Sequence, residues 1–523
     1  MKKSILASSI AAAVFGLGAA GVQAQAATGG DIVLVPYFTA QGNNATLLSI
    51  TNTDTLNGKA VKVRFRGAAN SDDIYDFQVF LSPTDVWTAN ISKGADGRAV
   101  LKTSDASCTK PSAAVLNATP FVTGRLNPAL TGDALANGTR EGYIEILSMA
   151  DIPKDRLTGS GVGTSAVGTA DALPVLSVAA GGDGTTNRLY TAIKHVKSVA
   201  PCSGTAFTAL DTVAWPMTTM GTADSASAKG MTPSTGGLIA NWTVINTVNA
   251  AAWSGAGTEL PVTGAKNVLY APQTAAAVSM ATADIWTADP LLITNRSAII
   301  SGTYSNEHVA TPIIAAGAYD FPDLSTPWAT GQSPANVALQ LQNVLMKSSV
   351  SAEYLTDAAI NGSTDWVFSM PTRRYSVAMA YNKIKAGDDG RRFNTALQLE
   401  GTHAFDRTKT SVVGGLICVT GAKPVPYDRE ENTVVSSTEV VVSPSSPTGG
   451  QLYCGEASVF SFNNGVGTTA ALNASVAVTA VDAPFATGWA SLAVGYPVLG
   501  GSFMKASNGA QGYGIYQAYR AAR

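Results

Sequence analysis

The acidic residues of one patterned stretch are the first candidates for chemistry in this chain. Residues 58–89 read GKAVKVRFRGAANSDDIYDFQVFLSPTDVWTA, and Asp72, Asp73 and Asp76 are the densest acidic group within them. Carboxylates on a loop can bind calcium at extracellular concentrations, although the EF-hand spacing and its terminal glutamate are absent here. The sequence therefore predicts these three aspartates as a candidate calcium site, with hydrated turn acids as the default alternative.

The elements that must position these charges are two strands. Apolar and charged residues alternate on both sides of the acidic break, as in a β-hairpin with one apolar face. The apolar positions are Val61, Val63, Phe65, Tyr75, Phe77, Val79 and Leu81. Lys62, Arg64 and Arg66 lie between them. We predict that these cations lie on the solvent face of a sheet and that the aspartates cap its turn.

Two further strings carry opposite charges. TRRY contains Arg373 and Arg374, and YDREE contains Asp428, Glu430 and Glu431. Because the chain carries little charge elsewhere, we predict an intramolecular clamp between the two strings. Surface ion pairs contribute less than about 1 kcal/mol each, so such a clamp would set the register rather than the stability.

The sequence lacks the motifs of common catalytic sites. No serine lies in a G-x-S-x-G turn, and no H-E-x-x-H pair is present. The three histidines, His195, His308 and His403, are far apart along the chain, which also argues against a zinc site. We expect no enzyme, no catalytic residue and no cofactor other than the calcium considered above.

The composition argues against nucleic-acid and anionic-membrane partners and in favour of an assembly. Its 34 basic and 36 acidic residues nearly balance, so no field would recruit nucleic acid or an anionic membrane. Charged residues are only 13%, against about 25% in a typical soluble domain. A surface with so little charge is more stable when it packs against neighbours, which favours an assembly.

The N-terminal sequence MKKSILASSIAAAVFGLGAAGVQAQA indicates export. Lys2 and Lys3 precede an alanine-rich apolar stretch, and small residues at Ala24 and Ala26 offer cleavage points. This pattern predicts a secretory signal peptide over residues 1–26. No later stretch of about twenty residues is continuously apolar, so we expect no transmembrane helix.

Four cysteines suit an oxidising compartment outside the cytoplasm. They allow three pairings. We predict Cys108–Cys202 and Cys418–Cys454, because sequential pairing needs no crossing between distant parts of the chain. In the chain-entropy account each bridge would add roughly 4 kcal/mol of stability.

Strand signals recur between Gly, Pro and Asn turns, which favours a mainly β fold. We predict two or more β-sandwich (Ig-like) domains with long loops and one or two helices. The best helix candidate is residues 335–355, whose first half also alternates like a strand. The expected division is an N-terminal β-sandwich domain over 27–235 with a loop-rich insertion at about 155–235, a central β-rich domain over 236–420, and a C-terminal β segment over 421–523 that could complete an earlier sandwich.

Six strings run in order from residue 35 to near the C-terminus. They are VPYFTAQGNNATLLSITNTD, GKAVKVRFRGAANSDDIYDFQVFLSPTDVWTA, EGYIEILSMADIP, TDWVFSMPTRRY, YDREE and GWASLAVGYPVLG. Together they resemble an uncharacterised family of secreted Gram-negative bacterial cell-surface proteins that are similar to S-layer proteins. The resemblance implies a β-rich fold and an extracellular or outer cell-surface location, and it carries over no catalytic residue.

These observations predict a secreted structural protein of the outer cell envelope that self-associates into a homo-oligomer or lattice, as an S-layer does. One alternative is an adhesin for glycan or matrix, with aromatic side chains stacking on sugars. The tryptophans considered for that role are Trp87, Trp242, Trp253, Trp286 and Trp328. Another alternative is a porin-like outer-membrane barrel, which would need aromatic girdles; the aromatic content of 7% argues against it.

Overall fold

The structure is a computed structural model that describes most of the chain. The described residues are 29–154, 186–213, 226, 229–248, 250–273, 308–309, 322–381, 387, 389–394, 404–430, 432, 451–463, 470–508 and 511–522. The predicted signal peptide and much of the predicted insertion lie outside these ranges, as do Trp286, His403 and Glu431.

Eleven strands precede residue 261 in the described chain. Alternating apolar residues, many of them β-branched, form these strands because such side chains pack well on a pleated surface. The strands are β1 (Ile32–Thr39), β2 (Asn44–Asn52), β3 (Asn57–Gly67), β4 (Asp73–Leu81), β5 (Val86–Lys93), β6 (Ala99–Lys102), β7 (Cys108–Lys110), β8 (Glu141–Pro153), β9 (Leu238–Asn246), β10 (Ala251–Ala256) and β11 (Thr258–Leu260).

Fifteen further strands lie in the described residues from 308 onward. They are β12 (His308–Val309), β13 (Met346–Leu355), β14 (Ser363–Ser369), β15 (Val377–Met379), β16 (Arg391–Asn394), β17 (Thr410–Val413), β18 (Leu416–Gly421), β19 (Val425–Tyr427), β20 (Gln451–Cys454), β21 (Ala457–Asn463), β22 (Val478–Asp482), β23 (Thr487–Pro497), β24 (Leu499–Asn508), β25 (Gln511–Ala518) and β26 (Arg520–Ala522). Hereafter, residues 29–273 are the N-terminal half and residues 322–522 the C-terminal half.

Five α-helices lie among the described residues, more than the one or two predicted. They are α1 (Ala113–Ala118), α2 (Gly132–Asn137), α3 (Arg188–Ile193), α4 (Thr205–Thr208) and α5 (Pro334–Leu345). The first four are too short to show a clear apolar period, which is why the sequence does not reveal them.

The predicted helix over residues 335–355 is correct only for its first part. Helix α5 begins where Ser333 Oγ accepts a hydrogen bond from the Asn336 N–H at 3.3 Å, with Pro334 at the first helical position. The chain then turns into β13, in which Val350, Ala352 and Tyr354 are the buried alternate positions. Burial with period two therefore replaces the helical period after Leu345.

Two antiparallel sheets of the N-terminal half enclose one apolar core. The first has the order β11-β1-β8-β3-β4-β7 and the second has the order β10-β9-β2-β5-β6. Val63 and Phe77 from the first sheet share this core with Trp87 and Trp242 from the second. The Phe77 and Trp87 ring centroids lie 5.3 Å apart across it.

Two larger sheets of the C-terminal half enclose a second core. Their orders are β19-β23-β13-β26 and β22-β21-β14-β24-β25, and two smaller sheets have the orders β17-β18-β20 and β12-β16-β15. All the paired strands are antiparallel except β21 with β22 and β12 with β16. Tyr354, Trp366 and Phe462 belong to this core, with Tyr354 stacked on Phe462 at 5.4 Å.

The two halves also share apolar packing. Side chains on β14 alternate, so Val367 lies in the first core while Trp366 and Phe368 lie in the second. Phe503 on β24 contacts Trp242 of the N-terminal half, with ring centroids 5.7 Å apart. The sheet that contains β14 and β24 is therefore a layer common to both cores.

Sheet pairing also crosses the predicted domain boundary at residue 235. Strand β9 pairs with β2, and β11 pairs with β1, so residues 238–260 complete the two N-terminal sheets. Pairing also crosses the predicted boundary at residue 420, where β21 and β23 pair with β14 and β13. The mainly β fold is confirmed, whereas its Ig-like character stays a prediction.

Candidate functional site

The cations of the opening hairpin point into the protein. Lys62, Arg64 and Arg66 are at most 2% exposed. The prediction that they form a solvent face is wrong, because the C-terminal half covers this side of the sheet. Arg64 Nη1 donates to the carbonyl of Pro322 at 2.9 Å, and Tyr381 reaches the turn of the hairpin.

Carboxylates on adjacent strands pair with these cations. Arg64 Nε lies 3.0 Å from Asp73 Oδ2, and Arg66 Nε lies 3.5 Å from Glu145 Oε1 on β8. The register of β3 with β4 sets Arg64 opposite Asp76 and Arg66 opposite Asp73. Opposite charges therefore face each other across the ladder, where such pairs stabilise a sheet.

Lys62 is held at the same face of the sheet by two partners. Its Nζ lies 3.1 Å from Asp76 Oδ2 and also donates to Gln273 Oε1. Gln273 Nε2 donates to Asp76 Oδ1 at 2.8 Å, which closes a three-membered network. The segment that ends at residue 273 thus contributes to the cover over the hairpin.

Arginines of the C-terminal half complete the arrangement. Arg374 Nη2 lies 3.1 Å from Asp323 Oδ2 and 3.9 Å from Glu145 Oε1. Arg373 Nε lies 2.6 Å from Glu456 Oε2. Glu145 therefore faces one arginine from each half of the protein.

These side chains form what we term the buried charge cluster. Taking charges out of water costs several kcal/mol per ion unless opposite charges and hydrogen bonds offset it. The cluster contains equal numbers of buried cations and carboxylates. The cations are Lys62, Arg64, Arg66, Arg125, Arg373 and Arg374, and the carboxylates are Asp72, Asp73, Asp76, Glu145, Asp323 and Glu456.

Asp72 connects the turn of the hairpin to the C-terminal half. The hydroxyl of Tyr381 donates to Asp72 Oδ2 at 2.6 Å. Asn70 beside it donates to the carbonyl of Gly415 at 2.9 Å and accepts from the Ile417 N–H at 3.1 Å. Burial raises the pKa of Asp72 to about 7, although the hydrogen bond from Tyr381 opposes this shift.

The three aspartates of the calcium hypothesis contact other side chains of the protein. Asp73 and Asp76 face Arg64 and Lys62, and Asp72 accepts from Tyr381. Within the described ranges no group of three or more His, Cys, Asp or Glu side chains is suited to hold a metal ion. Asp73 and Asp76 form ion pairs and Asp72 accepts a hydrogen bond, and calcium binding stays a prediction.

The predicted clamp between TRRY and YDREE is wrong for the residues that the structure describes. Arg373 and Arg374 pair with Glu456 and with Asp323, as given above. Asp428 instead stabilises its own loop. The Asn432 side-chain amide donates to its Oδ2 at 2.8 Å and the Glu430 N–H donates to its Oδ1 at 2.8 Å, and these bonds lower its pKa. Both arginines are buried, so acids of an exposed loop cannot reach them.

Sequence reasoning did not identify Glu145, Asp323, Glu456 or Arg125 as members of the cluster. Glu145 carried a usable signal, since it is the single acid inside the apolar run YIEILSM. A carboxylate in the middle of a fully buried strand needs an internal partner. The other three lie in loops or at a strand boundary, where one acid or base resembles any hydrated residue.

His195 lies beside a serine and an aspartate, but not in the geometry of a hydrolase. Its Nδ1 lies 3.4 Å from Ser82 Oγ and 3.4 Å from Asp85 Oδ2. A catalytic triad places the serine and the acid on opposite ring nitrogens, so that the imidazole passes a proton between them. Here Ser82 and Asp85 both contact Nδ1, an arrangement typical of a capped turn.

Both predicted disulfides are confirmed. Cys108 in β7 is bonded to Cys202 after α3, across 94 positions in the sequence. Cys418 and Cys454 face each other in the register of β18 and β20, across 36 positions. The first bridge fastens the segment after α3 to the edge of the six-stranded sheet.

Four of the five tryptophans considered for sugar stacking are unavailable. Trp87, Trp242, Trp253 and Trp328 are at most 3% exposed. They are core side chains, and Trp253 Nε1 donates to the carbonyl of Met504 in the other half at 2.7 Å. These positions give no support to the adhesin alternative.

A groove of about 770 Å³ lies in the C-terminal half beside β13, β23 and β25. Trp489 on β23 lines it and remains 39% exposed. Its indole stacks on the Tyr427 ring at 4.3 Å with an interplanar angle of 12°. One ring face is thus covered by Tyr427, and the stack holds the indole in a fixed orientation.

Comparisons with known proteins give no family assignment. No family model, no curated protein and no solved structure matches this chain. Among the helices that the structure describes, none has the length and apolar character needed to cross a membrane. The function must therefore be argued from the residues and contacts described above.

Proposed function

We propose that this chain is an exported structural protein of the Gram-negative cell surface that self-associates into an S-layer-like coat. The observation that carries the proposal is the buried charge cluster. In a chain with only 13% charged residues, this cluster alone holds twelve of them inside the protein. The outer surface is left with few charges to keep copies apart.

Exposed apolar side chains on β25 supply a candidate contact for self-association. Tyr513 and Ile515 are 61% and 59% exposed. They are two residues apart on one strand and therefore share one face of the sheet. Large apolar side chains that neighbour each other on a surface mark sites of protein association.

The two disulfides support the exported location. Such bonds persist outside the cytoplasm and are rare within it. A signal peptide over residues 1–26 and attachment to the outer envelope belong to the same proposal. For the fold, we propose Ig-like β-sandwiches, and the two antiparallel sheets that face a common N-terminal core support this assignment.

Localisation and assembly can be tested together. We expect the protein in the outer-surface fraction of its cells and ordered assemblies in electron micrographs of the purified protein. Purified wild-type protein should form larger species as concentration rises in sedimentation experiments. A protein that stays monomeric at high concentration, or that is absent from the surface fraction, would contradict the proposal.

A matched pair of variants identifies the contact. Tyr513→Lys adds a charge to the exposed face of β25, and we expect it to weaken association at least tenfold. Lys93→Gln removes a charge from an exposed site in the N-terminal half and should leave association within about twofold. Equal association of both variants would exclude β25 as the interface.

A further inference from the structure

The groove beside Trp489 carries polar groups of complementary kinds. Glu353, Arg429 and Arg520 line it and are exposed, and Gln517 lines it too. No carboxylate among the described residues forms an ion pair with Arg429 or Arg520. The Gln517 side chain is fixed by the Glu353 N–H, which donates to its Oε1 at 2.7 Å.

These groups differ in what they can exchange with a ligand. A carboxylate only accepts hydrogen bonds, a guanidinium only donates them, and an amide does both. A ligand that satisfies all of them must present groups that both donate and accept. Hydroxyl groups meet this requirement, whereas a simple anion would give Glu353 no donor and a simple cation would give the arginines no acceptor.

The aromatic wall adds a second requirement. The open face of an indole is flat and apolar, so a ligand ring with one apolar face can stack on it. Because Tyr427 already holds Trp489 in place, little side-chain freedom is lost when a ring stacks on it. The groove volume lies in the range of small-molecule sites.

We propose that this groove binds a neutral saccharide, with one sugar ring on Trp489 and its hydroxyls on Glu353, Gln517 and Arg520. A saccharide combines an apolar ring face with hydroxyls around its rim, which is the pattern that the groove presents. This proposal does not depend on self-association. Ile515 belongs both to the groove lining and to the proposed association face, so binding is measured below the concentration of self-association, whereas Tyr513 does not line the groove.

The test begins with a glycan array that holds neutral and acidic oligosaccharides, followed by calorimetric titration with the neutral oligosaccharide that binds best. We expect saturable binding with one site per chain. Trp489→Ala should weaken it at least tenfold, and Glu353→Gln at least threefold because the acceptor loses its charge. Inorganic phosphate in the same titration should not compete.

Controls separate loss of the site from loss of the fold. Trp489→Ala and Glu353→Gln should melt within a few degrees of the wild type, since both side chains are exposed. Tyr513→Ala, an exposed aromatic outside the groove, should bind the saccharide with wild-type affinity. The proposal is overturned if no neutral glycan binds, if phosphate competes, or if folded Trp489→Ala binds as tightly as the wild type.

Discussion

At the scale of single residues, the hairpin shows what an alternating pattern can reveal. The alternation of Val61, Val63 and Phe65 with three cations is correctly assigned to a strand with two distinct faces. Which face meets water was not predictable, because the residues that cover the charges come from remote parts of the chain. Asp323 and Arg374 lie in the C-terminal half, far from the hairpin along the chain.

Glu145 gives the sharpest test of the cluster by substitution. Its Oε1 faces Arg66 at 3.5 Å and Arg374 at 3.9 Å. Glu145→Gln removes the charge and leaves two buried arginines short of an anion, so we expect a loss of about 3–5 kcal/mol in the free energy of unfolding. Chemical denaturation followed by tryptophan fluorescence measures this change.

An exposed ion pair provides the control for that measurement. Asp96 lies 2.7 Å from Arg98 at the surface, with side chains 42% and 32% exposed. Asp96→Asn should cost less than about 1 kcal/mol. Equal effects of Glu145→Gln and Asp96→Asn would show that the cluster contributes no more than a surface pair.

Asp72 predicts a pH dependence of stability with a definite sign. Its pKa rises from 3.8 in the unfolded chain to about 7 in the folded protein. Between these values the unfolded chain loses the proton while the folded protein keeps it, so Asp72 makes stability fall as pH rises, with no further change above pH 7. A shift of this size corresponds to about 4 kcal/mol.

Asp72→Asn isolates this effect from the other titrating groups. The asparagine can still accept the hydrogen bond from Tyr381 through its side-chain carbonyl, but it cannot ionise. We expect the wild type to lose stability relative to Asp72→Asn between pH 4 and pH 8. Parallel stability curves for the two proteins, measured by denaturation at each pH, would contradict the assignment.

At the scale of elements, local patterns are reliable where one face is buried throughout. The confirmed half of the 335–355 helix and the strand that follows it share apolar residues, and only the period of their burial distinguishes them. The groove could not be foreseen, because Trp489 and Glu353 lie on strands that pair only in the folded sheet. The disulfides were predictable because sequential pairing is the simplest arrangement.

The bridge between Cys108 and Cys202 should stabilise the N-terminal half. It closes a loop across 94 positions, for which the chain-entropy account gives about 4–5 kcal/mol. We expect the double variant Cys108→Ala/Cys202→Ala to lose stability of this order in chemical denaturation. A loss below about 1 kcal/mol would mean that the unfolded chain is already constrained in this region.

At the scale of the whole molecule, the two halves are joined in three ways. The first apolar core contains Val367 and Phe503 from the C-terminal half. The buried charge cluster contains ion pairs and hydrogen bonds between the halves, such as Tyr381 with Asp72. Backbone groups also cross, as in the Ala457 N–H that donates to the carbonyl of Ala68 at 3.0 Å. These contacts predict a single rigid unit, as a coat subunit requires.

Differential scanning calorimetry of the purified chain tests this central claim most directly, at a concentration below that of self-association. If the buried charge cluster and the shared core join the halves, the protein unfolds in one transition, and the calorimetric enthalpy equals the van't Hoff enthalpy. Glu145→Gln should then lower the midpoint of that single transition. Two resolved transitions in the wild type, with Glu145→Gln shifting only one of them, would contradict the account.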